Sequence, residues 1–474
     1  MNSNGLAWTP AYELASLIRR KELSVPEIAE SLIEHVANVN PKLNAIVSFD
    51  PDAIRADATR LDSLQETGGS LGPIHGVPYT IKDMTDVAGL PTTSGLLSRK
   101  NHRASQDAVV VSRLKEAGGL FLGKTNVPEM SYYGGTDNHL FGVTHNPWKH
   151  GRTAGGSSGG AAAAVAAGMG QLAQGSDGCG SIRIPAAMCG VVGLKPTTGV
   201  TPSPSPLLDW SYDGPITRTV ADNALMLDVM AGPHTGTFPS AHRVESSYFN
   251  AALPDIKGLR VAWSADLGLG VHVDPEVARI ARGMADTLAD LGADVTEAAP
   301  AWENASIAMW EGLWVPAYAG LLSHVDIASR PGDYDERLRE IKAQGERLPL
   351  AAWGTAYMQR VNLYAHWDDF MTDFDILVSP TLASAAFPVD QFAPSWLEGA
   401  SLREELLDWL LTYPFNMINN PAISIPAGFT DNGCPVGLQI SARHWEDARI
   451  LGVARTLEEA RPWAAQKPVV GRQP

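Results

Sequence analysis

The sequence predicts an α/β protein, and three observations carry that expectation. From residue 74 onward, short apolar runs with a period of two recur along the chain. Between them lie longer stretches with a helical period, giving a βα alternation. Glycine pairs such as Gly68-Gly69 and Gly118-Gly119 stand where one periodicity gives way to the other. With 474 residues, 45% of them hydrophobic, the chain can bury a large core.

Residues 10–65 read as helices. Ser24-Val25-Pro26-Glu27 is a capping box with proline in the first turn, followed by Ile28, Leu32, Ile33, Val36 and Val39 at helical spacing. After Gly68-Gly69-Ser70, Val77, Tyr79 and Ile81 alternate with Pro78, Thr80 and Lys82, a strand with Lys82 at its exit. A helix from Asp107 to Ala117 is closed by Gly118-Gly119 and followed by a strand, Leu120-Phe121-Leu122. Ala161–Ala167 is a helix of small residues, and Leu172-Ala173 a short strand. Strands at Arg260–Ala262 and Asp294–Val295 bracket a helix, Asp274–Leu291, and further strands are expected at Asp375–Ser379 and Ala422–Ile425. Residues 300–370 are helical and rich in rings: Trp302, Trp310, Trp314, Tyr318, Trp353, Tyr357 and Trp367. Core filling accounts for most of them, and the rest are candidates for an apolar or aromatic pocket. No internal repeat occurs.

Composition excludes several classes. A net charge of −16, from 36 basic and 52 acidic residues, argues against autonomous nucleic-acid binding. The three cysteines, Cys179, Cys189 and Cys434, have neither CxxC nor metal spacing, and the 12 histidines form no HExxH or HxH pair, so no metal is expected. Reduced thiols, a start without an apolar signal core and the lack of an 18-residue apolar stretch predict a soluble, cytoplasmic protein with no membrane contact.

Two strings imitate known sites. Gly118-Gly-Leu-Phe-Leu-Gly123-Lys124-Thr125 matches a Walker A string, but a helix precedes it and Leu-Phe-Leu reads as a strand. Nucleotide binding is not expected. Gly156-Ser157-Ser158-Gly159-Gly160 fits the nucleophile elbow, with Ser158 attacking and Asp375 and His444 following in order. The loop material Asn146–Arg152, rather than a strand, leads into it.

A different reading uses both serine loops, Gly155–Gly160 and Gly175–Arg183. Serines on bare, glycine-flanked backbone supply a hydroxyl nucleophile and main-chain N–H groups for an oxyanion. A lysine leaving an apolar strand, as Lys82 does, can serve as base once burial draws its pKa toward neutrality. Its stem cannot easily orient against a second serine directly, whereas an intervening hydroxyl can relay the proton.

Further blocks stand along the chain: Gly-Val-Pro-Tyr-Thr-Ile-Lys82-Asp83, Lys124-Thr-Asn-Val-Pro-Glu129, Asn146-Pro-Trp148 and Gly155-Gly-Ser-Ser-Gly-Gly160. They continue through Gly180-Ser-Ile-Arg-Ile-Pro-Ala186, Gly193-Leu-Lys-Pro-Thr197, Gly214–Asp222, Asn420–Pro426 and Pro435–Gln439. On these blocks rests a resemblance, over most of the length, to the amidase signature family. It implies a large mixed, twisted β-sheet wrapped by α-helices. It also implies a single domain: residues 1–70 a helical layer, 74–222 the catalytic core, and 300–370 an aromatic, substrate-side region.

By resemblance Ser181 is the nucleophile, Ser157 a bridging serine after a cis peptide, and Lys82 the base. The oxyanion donors are the amides from Gly178 through Cys179 and Gly180 to Ser181, and Ser131 borders the acyl pocket. The implied activity is hydrolysis of small to medium amides through an acyl-enzyme, with anilides, esters or carbamates admissible and no cofactor required. A homodimer is an admissible assembly. Asp177 and Arg183 are read as braces of the nucleophile loop and Ser158 as a loop-stabilising hydroxyl. Asp83 is read as a structural acceptor, while Tyr132 and Tyr133 stay open between packing and pocket wall.

The chain departs from the family at Cys179, where glycine is usual, which disfavours positive φ and sets a side chain beside the oxyanion loop. Cys179 as an alternative nucleophile is a minor reading. Segments 203–213 and 300–370 carry no transferable pattern. Three rivals remain: the glutamine-hydrolysing subunit of a tRNA-dependent amidotransferase, a non-enzymatic scaffold, and the Ser158 esterase.

Overall fold

The computed structural model describes all residues except 1–2, 203–208, 237–245, 252, 324, 326, 328 and 471–474. Residues 203–208 of the expected substrate-side segment 203–213 therefore lie outside the described residues.

Eleven strands form one mixed sheet. In chain order they are β1 (Ile46–Ser48), β2 (Pro78–Lys82), β3 (Leu120–Thr125), β4 (Leu172–Asp177), β5 (Val192–Lys195) and β6 (Tyr212–Thr217). They continue as β7 (Arg260–Trp263), β8 (Asp294–Glu297), β9 (Ile376–Pro380), β10 (Ala422–Phe429) and β11 (Pro435–Ser441). Across the sheet the order is β1-β3-β2-β4-β6-β5-β10-β11-β9-β7-β8. The β3-β2-β4 group and the β9-β7-β8 group are parallel, as crossover helices require. Antiparallel pairs join them through β6, β5, β10 and β11.

The helices cover this sheet as the apolar periodicity anticipates. Helix Val25–Leu43 starts at the predicted capping box: Ser24 Oγ accepts from Glu27 N, and Ser24 N donates to the Glu27 carboxylate at 2.9 Å. Its buried face, with Ile28, Leu32 and Ile33, joins Ile81, Leu120 and Leu172 in one core. Helix Gly159–Ala166 is buried at every residue, so only small side chains fit between its neighbours Val36, Ala173, Ile182 and Ile216. At the other end of the sheet, helices Pro275–Asp290 and Asp447–Ala460 pack on β7, β9, β10 and β11. The 300–370 segment is helical as expected, with a wider π-helical turn at Trp310–Trp314. Trp302 and Trp367 stack at 5.8 Å with Phe415 set edge-on to both, which makes them core. Trp353 and Tyr357 pack with tilted rings at the surface, 37% and 38% exposed.

Two differences from the sequence reading have physical causes. The expected helical layer 10–65 is interrupted by β1, which pairs antiparallel with β3; three residues are too few to show alternation. The strands β5, β6 and β11 contain Gly193, Pro215 and Gly437, residues that mask a strand pattern.

The Walker-like string lies in β3 itself. Lys124 is buried there and forms an ion pair at 2.9 Å with Asp83, so its ammonium is committed within the fold. Among the described residues no helix is long and apolar enough to cross a membrane, and no group of three metal-ligating side chains occurs.

Candidate active site

The parallel neighbours β2 and β4 set the site. Their register places Ile81 beside Gln174, and Gln174 Oε1 accepts the Lys82 backbone N–H at 3.1 Å. This fixes the strand exit from which the lysine side chain leaves. Lys82 is fully buried, with Nζ 2.7 Å from Ser157 Oγ and 3.0 Å from Ser176 Oγ. Burial lowers its pKa to about 7, against an opposing pull from the carboxylates of Asp213 and Asp177. Asp213 lies on β6 directly across from Ser176 and accepts from Gln174 Nε2 at 2.8 Å. Burial pushes its carboxyl up to about 7, with Gln174 and Lys82 countering.

Ser157 follows a cis peptide bond from Gly156. Gly156 has no room for a side chain, since a Cβ would lie 1.9 Å from the Gly135 carbonyl oxygen. Ser158 N donates to the Ser181 carbonyl at 3.1 Å, which sets the two serine-bearing segments side by side. Among the described residues no hydrogen bond joins the hydroxyls of Ser157 and Ser181. Ser158 is buried, its hydroxyl in 3.4 Å contacts with the backbone of Ser176. Asp375 is paired with Arg260 at the surface, and His444 contacts Tyr364, so neither partner of the elbow reading accompanies Ser158.

The Ser181 loop is shaped by one carboxylate. Asp177, at the end of β4, accepts from the backbone N–H of Gly180 (2.8 Å), Ile182 (3.2 Å) and Arg183 (3.4 Å). It also forms an ion pair with Arg183 at 2.9 Å, both side chains being fully buried. Burial would raise its pKa, but Arg183, Asn416 and Lys195 outweigh it and hold it at about 2. The five N–H bonds of Arg183 go to Asp177 twice, Thr412 O, Gln439 Oε1 and Asn416 Oδ1. No donor is left for a ligand, and the pair acts as a brace.

The oxyanion loop differs from the expectation at two points. Gly180 N–H is occupied by Asp177, leaving Gly178, Cys179 and Ser181 N–H without an acceptor among the described residues. Positive φ falls on Gly180, at +117°, and not on Cys179, so the cysteine meets no backbone conflict. A Cβ on Gly180 would come 2.2 Å from Thr412 Oγ1, which in turn donates to the Cys179 carbonyl at 2.7 Å. The Cys179 thiol is buried and its pKa is pushed well up by burial, which keeps it protonated.

Ser131 and Met130 both have positive φ, 58° and 50°, and the Met130 carbonyl accepts from Tyr318 OH at 3.0 Å. Tyr318 packs on Trp314, and Trp314 on Trp210. The Trp210 ring covers Gly178, where a Cβ would come within 2.9 Å of it. Tyr132 is buried and Tyr133 half-buried; their rings pack together and against Phe392.

Sequence reasoning missed Gln174, Ser176 and Asp213, and Met84, whose sulfur lies 3.2 Å from both Ser131 Oγ and Ser176 Oγ. Gln174 and Asp213 did carry a signal, a polar side chain in a strand buried throughout.

Comparison with known proteins identifies the family. The Amidase family model matches residues 27–451. An acylamidase from Rhodococcus erythropolis is 57% identical over 471 residues, covering 99% of this chain and 98% of that protein. A 6-aminohexanoate-cyclic-dimer hydrolase from Paenarthrobacter ureafaciens is 35% identical, covering 97% and 96%. The crystal structure of a bacterial aryl acylamidase of the amidase signature family superimposes with a TM-score of 0.90 at 29% identity, covering 96% and 97%. With a matching fold, a family model spanning most of the chain and these relatives, the chain belongs to the amidase signature family and is a hydrolase of carbon–nitrogen amide bonds.

Proposed function

We propose that this protein cleaves small N-acyl amides, aryl amides foremost, through a covalent acyl-enzyme on Ser181. The observation that carries the reading is the buried Lys82 ammonium position, 2.7 Å from Ser157 Oγ and drawn to a pKa of about 7. Neutral Lys82 takes the Ser157 proton while Ser157 takes that of Ser181, whose hydroxyl turns toward it for the step. Ser181 Oγ then bonds to the amide carbon. The N–H groups of Gly178, Cys179 and Ser181 receive the developing oxyanion, each such donor being worth about 3–4 kcal/mol. The proton returns through Ser157 to the departing nitrogen, since an unprotonated amide anion is a very poor leaving group. Water repeats the sequence on the acyl-enzyme.

Two features support the substrate class. Trp210, Trp314 and Tyr318 form an apolar wall next to Gly178, suited to a compact acyl group. The 57% identity to an acylamidase over nearly the whole chain favours free small amides over an amidotransferase substrate. The test is to trap the enzyme with a fluorophosphonate and map the label, then rank anilides, primary amides and carbamates by kcat/KM. Label on Ser181 and preference for anilides are expected. Label on Ser158 or Cys179, or co-purification with a second subunit and strong glutaminase activity, would overturn the reading.

A further inference from the structure

Ser176 raises a problem that the Lys82–Ser157 relay does not solve alone. Its hydroxyl lies 3.0 Å from Lys82 Nζ, almost as near as Ser157 at 2.7 Å. Neutral lysine has two N–H bonds and a single lone pair. A proton donated by Ser176 into that lone pair would occupy it and leave Ser157 with no acceptor.

Met84, two residues beyond Lys82, resolves the direction. Its sulfur lies 3.2 Å from Ser176 Oγ and 3.2 Å from Ser131 Oγ. A thioether has no proton, so both contacts can be hydrogen bonds only with the serines donating. A serine hydroxyl has one proton. Once Ser176 gives it to sulfur, the contact between Ser176 and Lys82 must run from Nζ–H to Oγ. The lysine lone pair is then left for Ser157. We infer that Met84 is a positioning residue: its sulfur, accepting from Ser176, sets the proton direction around Lys82.

The inference rests on Lys82 being the base. Other charges facing Lys82 are those of Asp213 on β6 and Asp177 on β4, and among the described residues neither carboxylate is hydrogen-bonded to Ser176 Oγ.

Met84→Leu keeps volume and removes the acceptor. In that variant the Ser176 proton turns to the Lys82 lone pair, which stabilises neutral lysine while misdirecting it. The expected result is a kcat about fivefold lower, the factor set by the net worth of one neutral hydrogen bond. KM is expected to be unchanged, and the acid limb of the kcat/KM profile to move about half a pH unit toward acid. In a Ser176→Ala background the competing proton is gone, so adding Met84→Leu should change neither kcat nor the limb.

Equal losses in both backgrounds would mean that Met84 only packs, and overturn the inference. So would a wild-type limb in Met84→Leu while Lys82→Ala is inactive. Substantial activity in Lys82→Ala would instead overturn the underlying mechanism, which keeps the two failures distinct.

Discussion

On the proposed mechanism, the pH dependence of kcat/KM follows from the burial of Lys82. An ordinary lysine, with a pKa of 10.5, is neutral in about three molecules per ten thousand at pH 7. At a pKa of about 7 half the molecules carry a neutral amine, on the order of a thousandfold more base. The sign is fixed by the role: the base must be unprotonated, so activity rises with pH through about 7. Relative to the plateau, about a tenth of the rate is expected at pH 6 and nine-tenths at pH 8. The assay is release of a nitroaniline from an N-acyl nitroanilide between pH 5 and 9. Asp213→Asn should move the limb toward acid, because the Asp213 carboxylate raises the Lys82 pKa. Lys82→Arg keeps the charge but cannot lose its proton, so it should be inactive across the range. A flat profile, or a Lys82→Arg enzyme with more than a tenth of wild-type kcat/KM, would refute the reasoning.

Three further outcomes can be checked. Asp177→Asn leaves the buried Arg183 guanidinium without its counter-charge and should cost about 3–5 kcal/mol of stability, read as a lowered Tm. Gly180→Ala forces a side chain onto a φ of +117° and against Thr412; loss of nearly all activity with a folded circular dichroism spectrum is expected, and retention would mean that the loop has slack. Lys124→Met strands the buried Asp83 carboxylate and should lower Tm by a comparable free energy, whereas ATP should leave the wild-type Tm unmoved.

Much of the architecture was legible because the helices and parallel strands obey their periods. Helix Pro275–Asp290 and strands β2, β7 and β9 lie within a few residues of their sequence positions. Among the central antiparallel strands β10 was legible, but β5, β6 and β11 were not, since Pro215 in β6 and the glycines of β5 and β11 break the usual signal. At the site, the position of Lys82 at a strand exit could be read, and so could the bare backbone around Ser181. The partners of Lys82 beyond Ser157 could not: Ser176 and Asp213 face each other only through the β4–β6 register, a pairing across 37 residues that no local pattern encodes. Nor could the occupation of Gly180 N–H by Asp177, which depends on how a three-residue gap closes into a turn.

The arginine that steadies the Ser181 loop also imposes an order of events during synthesis. Arg183 reaches Thr412 and Asn416, and Gln439 on β11, more than 220 residues later in the chain. A nascent polypeptide that has already produced Lys82, Ser157 and Ser181 still lacks the far anchors that hold its Ser181 loop in place. On the proposed mechanism, acyl-transfer competence therefore requires a chain that extends through β11.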